Sequence, residues 1–195
     1  MPNKYSEYAE RVLAVAQYEA GQFGRLKIGT EHILLALVME ANGAASGILR
    51  HFGVQEGKVY GAVVDQIGAA DYEGKLLLTP NATEALSLAF SEAAKAQGKR
   101  PLIDTEHLLL GLILQTDCSA IQVLKALRVD LVKLIAVAEW AASGIEGEIG
   151  AMVRIGQFEV AVKLLKREID ASEAVLDRKK ALRDQVLSVA ASRVA

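Results

Sequence analysis

Apolar positions recur along this chain with a helical period, and the series runs through twice. Val12, Leu13, Ala16 and Ala20 share one face of a helix, which predicts an amphipathic segment with a single buried stripe. Ser6 stands ahead of it as a side-chain cap, and Gly24 marks the loop that ends it. After Thr30 the pattern changes: Ile33-Leu34-Leu35-Ala36-Leu37-Val38 is apolar all round, as a central buried helix would be. Two shorter helices are expected next, at about 43 to 51 and 55 to 67. The order then starts again. Thr79 caps a helix that opens on Pro80, a residue suited to the first helical position because it has no N–H to leave unpaired. Gly98 ends that helix, a second apolar helix follows Thr105, and short helices are expected at about 118 to 126 and 130 to 142.

The residues repeat as well as the pattern. Ile28-Gly29-Thr30-Glu31-His32-Ile33-Leu34-Leu35-Ala36-Leu37 returns as Ile103-Asp104-Thr105-Glu106-His107-Leu108-Leu109-Leu110-Gly111-Leu112, with Glu31 and Glu106 75 positions apart. Downstream, Leu49 maps to Leu124, Phe52 to Leu127, Val54 to Val129 and Val59 to Leu134. Upstream, Leu13-Ala14-Val15-Ala16 maps onto Leu86-Ser87-Leu88-Ala89 and Glu19-Ala20 onto Glu92-Ala93, once two extra residues are allowed in the second loop. Either repeat alone would expose a large apolar face. The expected fold is therefore all-α: a pseudo-twofold duplicated domain over residues 1–143, with repeats at about 4–68 and 77–142 and about four helices in each.

Beyond it, Gly144-Ile145-Glu146-Gly147-Glu148-Ile149-Gly150 opens a Gly-rich linker over 144–156. In the tail, 157–195, Phe158, Val162, Leu165 and Ile169 recur at intervals of four, three and four, a coiled-coil-like seam. The seam falters at Ser172 and Lys179 and resumes through Leu182, Val186 and Val189, so one amphipathic helix and a helical hairpin both fit, and a homodimer through this helix is one expectation. Residues 151–195 carry nine Lys or Arg against six Asp or Glu, whereas the preceding 150 carry 13 against 18. That contrast suits docking of the tail on an acidic surface, and equally suits plain solvation.

Composition narrows the function. Hydrophobic residues at 52% and charged residues at 24% of 195 place the chain among globular proteins. No apolar run approaches the roughly 18 residues of a membrane span, and the polar opening with Lys4, Glu7 and Glu10 is unlike a secretory leader; a cytoplasmic address is expected, away from membranes. A formal net charge of −2 gives no general attraction to nucleic acid. Cys118 is the single cysteine, which excludes an internal disulfide and a cysteine-based zinc cluster and leaves it as a small buried hydrophobe. There is no Gly-x-x-x-x-Gly-Lys-Ser/Thr loop to wrap nucleotide phosphates, no Gly-x-Ser-x-Gly elbow and no His-Glu-x-x-His pair. The expectation is a protein that is not an enzyme and holds neither cofactor nor metal; an unrecognised enzyme would need a pocket with converging polar groups.

The duplicated Thr-Glu-His-(Ile/Leu)-Leu-Leu motif, about 25 residues after a capped helix start, resembles the Clp N-terminal repeat, and within it the ClpC branch. The resemblance covers about residues 4 to 142. It implies an all-helical double repeat that receives substrates and adaptor proteins for an unfolding motor, with a Clp ATPase or protease, adaptors or substrates as partners. In some ClpC-type members the paired glutamates hold phosphoarginine, and the matching residues here are Glu31 and Glu106. Ser6 and Thr79 match positions near the phosphate, and Thr30 and Thr105, which open the two motifs, complete the candidate ligand-binding set. The chemistry suits the residues, since a carboxylate takes a guanidinium fork through two charge-assisted hydrogen bonds and a helix N-terminus offers N–H groups to phosphoryl oxygens. The chain departs from the family pattern where arginine often follows the Ser or Thr: Tyr8 and Asn81 stand there. A glutamate in a first helical turn also stabilises the helix by about 0.3–1 kcal/mol with no ligand at all. His32 and His107 are read as packing and hydrogen-bonding at the same helix starts. In the tail, Gly156-Gln157-Phe158-Glu159-Val160-Ala161 with Leu164 or Leu165 and Ile169 resembles the UVR motif, a helical hairpin used for protein contacts, although Val160-Ala161-Val162 replaces its usual paired alanines. The alternative to Clp docking is a self-associating scaffold or stress-response regulator independent of Clp.

Overall fold

The chain is described by a computed structural model over residues 4–25, 27–67, 77–98 and 101–143. Repeat one contributes α1 (Glu7–Gln22), β1 (Lys27–Ile28), α2 (Thr30–Met39), α3 (Ala44–His51) and α4 (Glu56–Ile67). Repeat two contributes β2 (Leu77–Leu78), α5 (Pro80–Gln97), α6 (Thr105–Ile113), α7 (Ser119–Ala126) and α8 (Leu131–Ala142). These are the duplicated four-helix repeats that the periodicity predicts. All of them lie in the unit Met1–Phe158. The expectations for the 144–156 linker and the 157–195 tail, including its helix or hairpin, its UVR-like motif and its dimer seam, fall outside the described residues.

Local chemistry explains where the helices start. Ser6 Oγ accepts from the Ala9 N–H at 3.1 Å and Thr79 Oγ1 accepts from the Ala82 N–H at 3.1 Å, so the two long helices are capped in the same way. α2 and α6 form the centre. Residues Thr30 to Val38 are buried without a break, and Leu34, Leu35, Leu37, Leu108, Leu109, Leu110 and Leu112 are fully enclosed. Each such leucine contributes about 1.5–3 kcal/mol by leaving water, enough to hold two apolar helices at the core against the other six.

The repeats join by exchange. β1 pairs in parallel with β2 of the other repeat, and Tyr5 forms the matching parallel bridge with Ile103. The Thr79 N–H donates to the Ile28 carbonyl at 2.9 Å, and the Ser6 N–H donates to the Ile103 carbonyl at 2.8 Å. An all-helical expectation omits these pieces, because a two-residue strand has no period to detect. Helix starts are exchanged too. The Ala120 N–H of α7 donates to Thr30 Oγ1 at 3.1 Å, and the Ala45 N–H of α3 donates to Thr105 Oγ1 at 3.3 Å. Each threonine thus caps a helix of the opposite repeat, where Cys118 and Gly43 make no side-chain cap of their own. Cys118 is buried with its Sγ 3.8 Å from the Leu112 carbonyl oxygen, as a small hydrophobe would be. Among the described residues no single helix is long and apolar enough to cross a membrane.

Candidate functional site

The exchange of short strands brings the start of a long helix from one repeat beside the motif of the other. Thr79 bonds Ile28, three residues ahead of Glu31, and Ser6 bonds Ile103 and Asp104, three and two residues ahead of Glu106. Two pseudo-equivalent junctions result, each with a hydroxyl at a helix N-terminus and a glutamate in the first turn of another helix.

The glutamates are held near the surface. The Glu31 side chain is 11% exposed and that of Glu106 is 16% exposed, each on the first turn of its helix where the backbone dipole favours a negative charge. Glu31 folds its carboxylate against Gly29, where a Cβ on that glycine would fall. Glu106 Oε2 accepts from Thr105 Oγ1 at 3.3 Å.

Behind each carboxylate lies a histidine. His32 Nδ1 accepts from the Gly29 N–H at 3.0 Å and His107 Nδ1 accepts from the Asp104 N–H at 3.1 Å, which satisfies an orphan donor at each helix start. Accepting at Nδ1 places the proton on Nε2; the Ala142 carbonyl is close enough to His107 to favour its protonated form, whereas His32 Nε2 closes no hydrogen bond among the described residues. Burial holds both imidazoles below their usual range. At His32 the Glu31 carboxylate opposes burial while Arg25 adds to it; at His107 the Asp104 and Glu92 carboxylates and the Ala142 carbonyl oppose it. Both rings therefore act as neutral posts that set the angle of the motif.

The six candidates divide. Ser6 and Thr79 are bonded to the segments that lead into Glu106 and Glu31. Thr30 and Thr105 are buried with their hydroxyls engaged at the starts of α7 and α3, and that of Thr105 also donates to Glu106, so both position the fold. The two positions where the family often carries arginine are otherwise engaged as well. Tyr8 lies under the guanidinium of Arg11, 4.7 Å from its ring centre, and Arg11 itself bridges Glu7 at 2.6 Å and Glu40 at 2.8 Å. Asn81 Nδ2 donates to the Asp117 carbonyl at 3.2 Å.

Two residues at the junctions escaped the candidate set. Asp104 Oδ1 accepts from Ser6 Oγ and from the Thr105 N–H, both at 2.7 Å. Its signal was in plain view, since it is the one polar departure between Ile28-Gly29-Thr30 and Ile103-Asp104-Thr105. Arg25, close enough to His32 to lower its pKa, had no signal beyond being a charge in a loop.

A cleft of about 290 Å³ is lined by Glu92, Lys95, Glu139, Ala142 and Ser143, but Glu92 is paired with Lys95 at 2.6 Å and the Ser143 hydroxyl donates to the Trp140 carbonyl at 2.6 Å. Among the described residues no three His, Cys, Asp or Glu side chains come together to hold a metal ion.

The Clp repeat (R) N-terminal domain matches this chain twice, over residues 4–97 and 77–167. The chain belongs to that family. Its relatives include the ATP-dependent Clp protease ATP-binding subunit ClpC of Staphylococcus aureus, 39% identical over 131 residues, 67% of this chain and 16% of that one. The negative regulator of genetic competence ClpC/MecB of Bacillus subtilis is 39% identical over 134 residues, again 16% of its length. The chain therefore spans about a sixth of these curated relatives. Solved Clp N-domains share the fold: that of ClpD from Arabidopsis thaliana has a TM-score of 0.58 at 24% identity and covers 72% of this chain and 96% of its own. The ClpV N-domain in complex with a VipB peptide has a TM-score of 0.55 at 13% identity and covers 73% of this chain and 91% of its own.

Proposed function

We propose that this Clp N-domain is a non-catalytic docking module that receives substrate or adaptor segments for a Clp ATPase, and that it recognises an arginine-linked phosphoryl group at the helix junctions. The observation that supports the reading is the twofold bonding of a capped helix start from one repeat to the segment that leads into the motif glutamate of the other: Thr79 to Ile28 ahead of Glu31, Ser6 to Ile103 and Asp104 ahead of Glu106. A guanidinium is held by the carboxylate while its phosphoryl oxygens meet hydroxyl and N–H donors at the neighbouring helix start. Relatives support the partner class, since the curated matches are ClpC subunits of a Clp protease and one solved N-domain of this fold is described with a bound peptide.

The binding half is tested by titrating a phosphoarginine peptide, with the unmodified arginine peptide as control, against the wild type and the Glu31→Ala, Glu106→Ala double variant. Heat with the wild type and none with the double variant, whose helical circular dichroism is unchanged, is expected; no heat with the wild type ends the phosphoarginine reading. The partner half is tested by pull-down from native extract, where recovery of a Clp subunit above background is expected and its absence counts against docking.

A further inference from the structure

The two junctions are built alike but charged differently. We infer that they are unequal sites: only the Thr79–Glu31 junction takes an arginine-linked phosphoryl group, and Asp104 closes the Ser6–Glu106 junction to it. This rests on the docking reading above and assigns Asp104 as a specificity-determining residue.

At the Ser6 junction the side-chain hydroxyl and the first N–H of α6, two donors a phosphoryl oxygen would seek, both have a partner. The Ser6 hydroxyl donates to Asp104 Oδ1 at 2.7 Å and accepts from the Ala9 N–H, while the Thr105 N–H also goes to Asp104 Oδ1 at 2.7 Å. The Asp104 carboxylate thus stands where an incoming anion would bind, as an anion tethered to the chain. The surroundings add to its effect, because the first turn of α1 carries Glu7 and Glu10 and the first turn of α6 carries Glu106. Arg11 does not offset them from outside, being held between Glu7 and Glu40.

At the Thr79 junction the position matching Asp104 is Gly29, which has no side chain. A Cβ at this position would meet the Glu31 carboxylate, the movable end of a side chain. Thr79 Oγ1 accepts from the Ala82 N–H, and its own O–H donates to no described residue. The first turn of α5 carries no acidic residue, and Arg25 adds a cation on the His32 side. A dianionic phosphoryl group meets no counterpart of Asp104 here, and the Glu31 carboxylate is neutralised by the guanidinium it holds. At the other junction it would meet Asp104 as well, at hydrogen-bond range in a partly dry setting, and binding at least about 100-fold weaker is expected.

The test is the calorimetric stoichiometry of a phosphoarginine peptide on the full chain. One site per chain is expected, lost in Glu31→Gln and unchanged in Glu106→Gln. Asp104→Gly, which copies the first repeat, should open a second site, and Asp104→Asn, which keeps the size and the cap on α6, should do so if the glycine variant folds poorly. Two sites in the wild type, or loss of binding in Glu106→Gln alone, overturns the inequality while leaving the docking reading in place. One site that neither Asp104 variant raises to two overturns the role of Asp104. No heat from the wild type or from either Asp104 variant overturns the phosphoarginine reading itself, and the inequality with it.

Discussion

The long-helix pairs of the two repeats, α1 with α2 and α5 with α6, answer one packing problem in two ways. In the first repeat Val12 on α1 and Ala36 on α2 are both buried. At the matching places in the second repeat stand Ala85 and Gly111, each one step smaller. A Cβ added to Gly111 would fall on the Ala85 carbonyl oxygen and lie 2.9 Å from the Ala89 amide nitrogen, so α5 and α6 approach backbone to backbone. The same difference marks the junctions, where Asp104 puts a second carboxylate at the place that Gly29 holds without a side chain. Duplication set the topology, and each copy has since adjusted side-chain size and charge on its own. A helix pair and a binding junction can therefore diverge while the backbone that relates them stays the same.

The largest effect is expected where the copies differ most in space. Gly111→Ala should destabilise the domain by about 2–3 kcal/mol in urea unfolding, because the obstacle is backbone and cannot swing aside. Ala36→Gly, the reciprocal change, should cost roughly 1 kcal/mol from helix propensity plus the lost methyl. Equal costs would mean that the two helix pairs pack alike after all.

Next come the exchanged caps. Thr30→Val and Thr105→Val keep the shape and remove the hydroxyl, leaving the Ala120 or Ala45 N–H without its partner at a buried helix start. Each should cost about 1–2 kcal/mol. Since each threonine serves a helix of the opposite repeat, unfolding should stay a single transition in both variants, by circular dichroism and by Trp140 fluorescence alike. Separate transitions would show that the repeats are independent.

The histidines are alike in the two copies and give both a pH dependence. Both are held below the usual imidazole range by burial, so the folded state binds these protons less readily than the unfolded chain. Stability is therefore full above about pH 6.5 and falls as the pH drops through the window down to the folded values, by at most about 1.4 kcal/mol per pH unit for each ring. Carboxylates oppose burial at both rings, Glu31 at His32 and Asp104 with Glu92 at His107, without overcoming it, so both should titrate below the unfolded-chain value when the ring protons are followed by NMR. A ring that titrates at or above that value would contradict its role as a neutral post.

The smallest effect concerns a helix end. Gly53 follows α3 at φ 73°, and the matching residue after α7 is Arg128 at φ 58°. Val54 and Val129 close the same hydrogen bond back to Leu49 and Leu124, at 2.9 and 3.0 Å. Arg128→Gly should relieve the left-handed strain and raise stability by roughly 0.5 kcal/mol after the added freedom of the unfolded chain is counted. A loss would mean that the Arg128 side chain contributes something its exposed position does not suggest.

Much of this was legible in the residues, for physical reasons. Caps, Pro80 and the apolar run after Thr30 act within a turn or two of chain, so Ser6, Thr79 and the central helices follow from spacing. The repeat revealed that two such units must cover each other. What spacing could not reveal is long-range: Thr30 and Thr105 look like caps of their own helices yet serve residues 90 and 60 positions away. Leu13 belongs to the predicted buried stripe but is only half-buried, because the burial of α1 runs through Ala9, Val12, Ala16, Glu19 and Ala20. Asp104 was legible as a letter and not as a role, since its meaning depends on Ser6, 98 residues earlier.

The most direct check on a fused double repeat with one open docking junction is a 15N NMR titration of the full chain with a phosphoarginine peptide. The amides of Gly29, Glu31, Thr79 and Asn81 should move together with a single affinity, while those of Ser6, Asp104 and Glu106 hold still. Equal movement at both junctions, or movement at neither, would contradict the account.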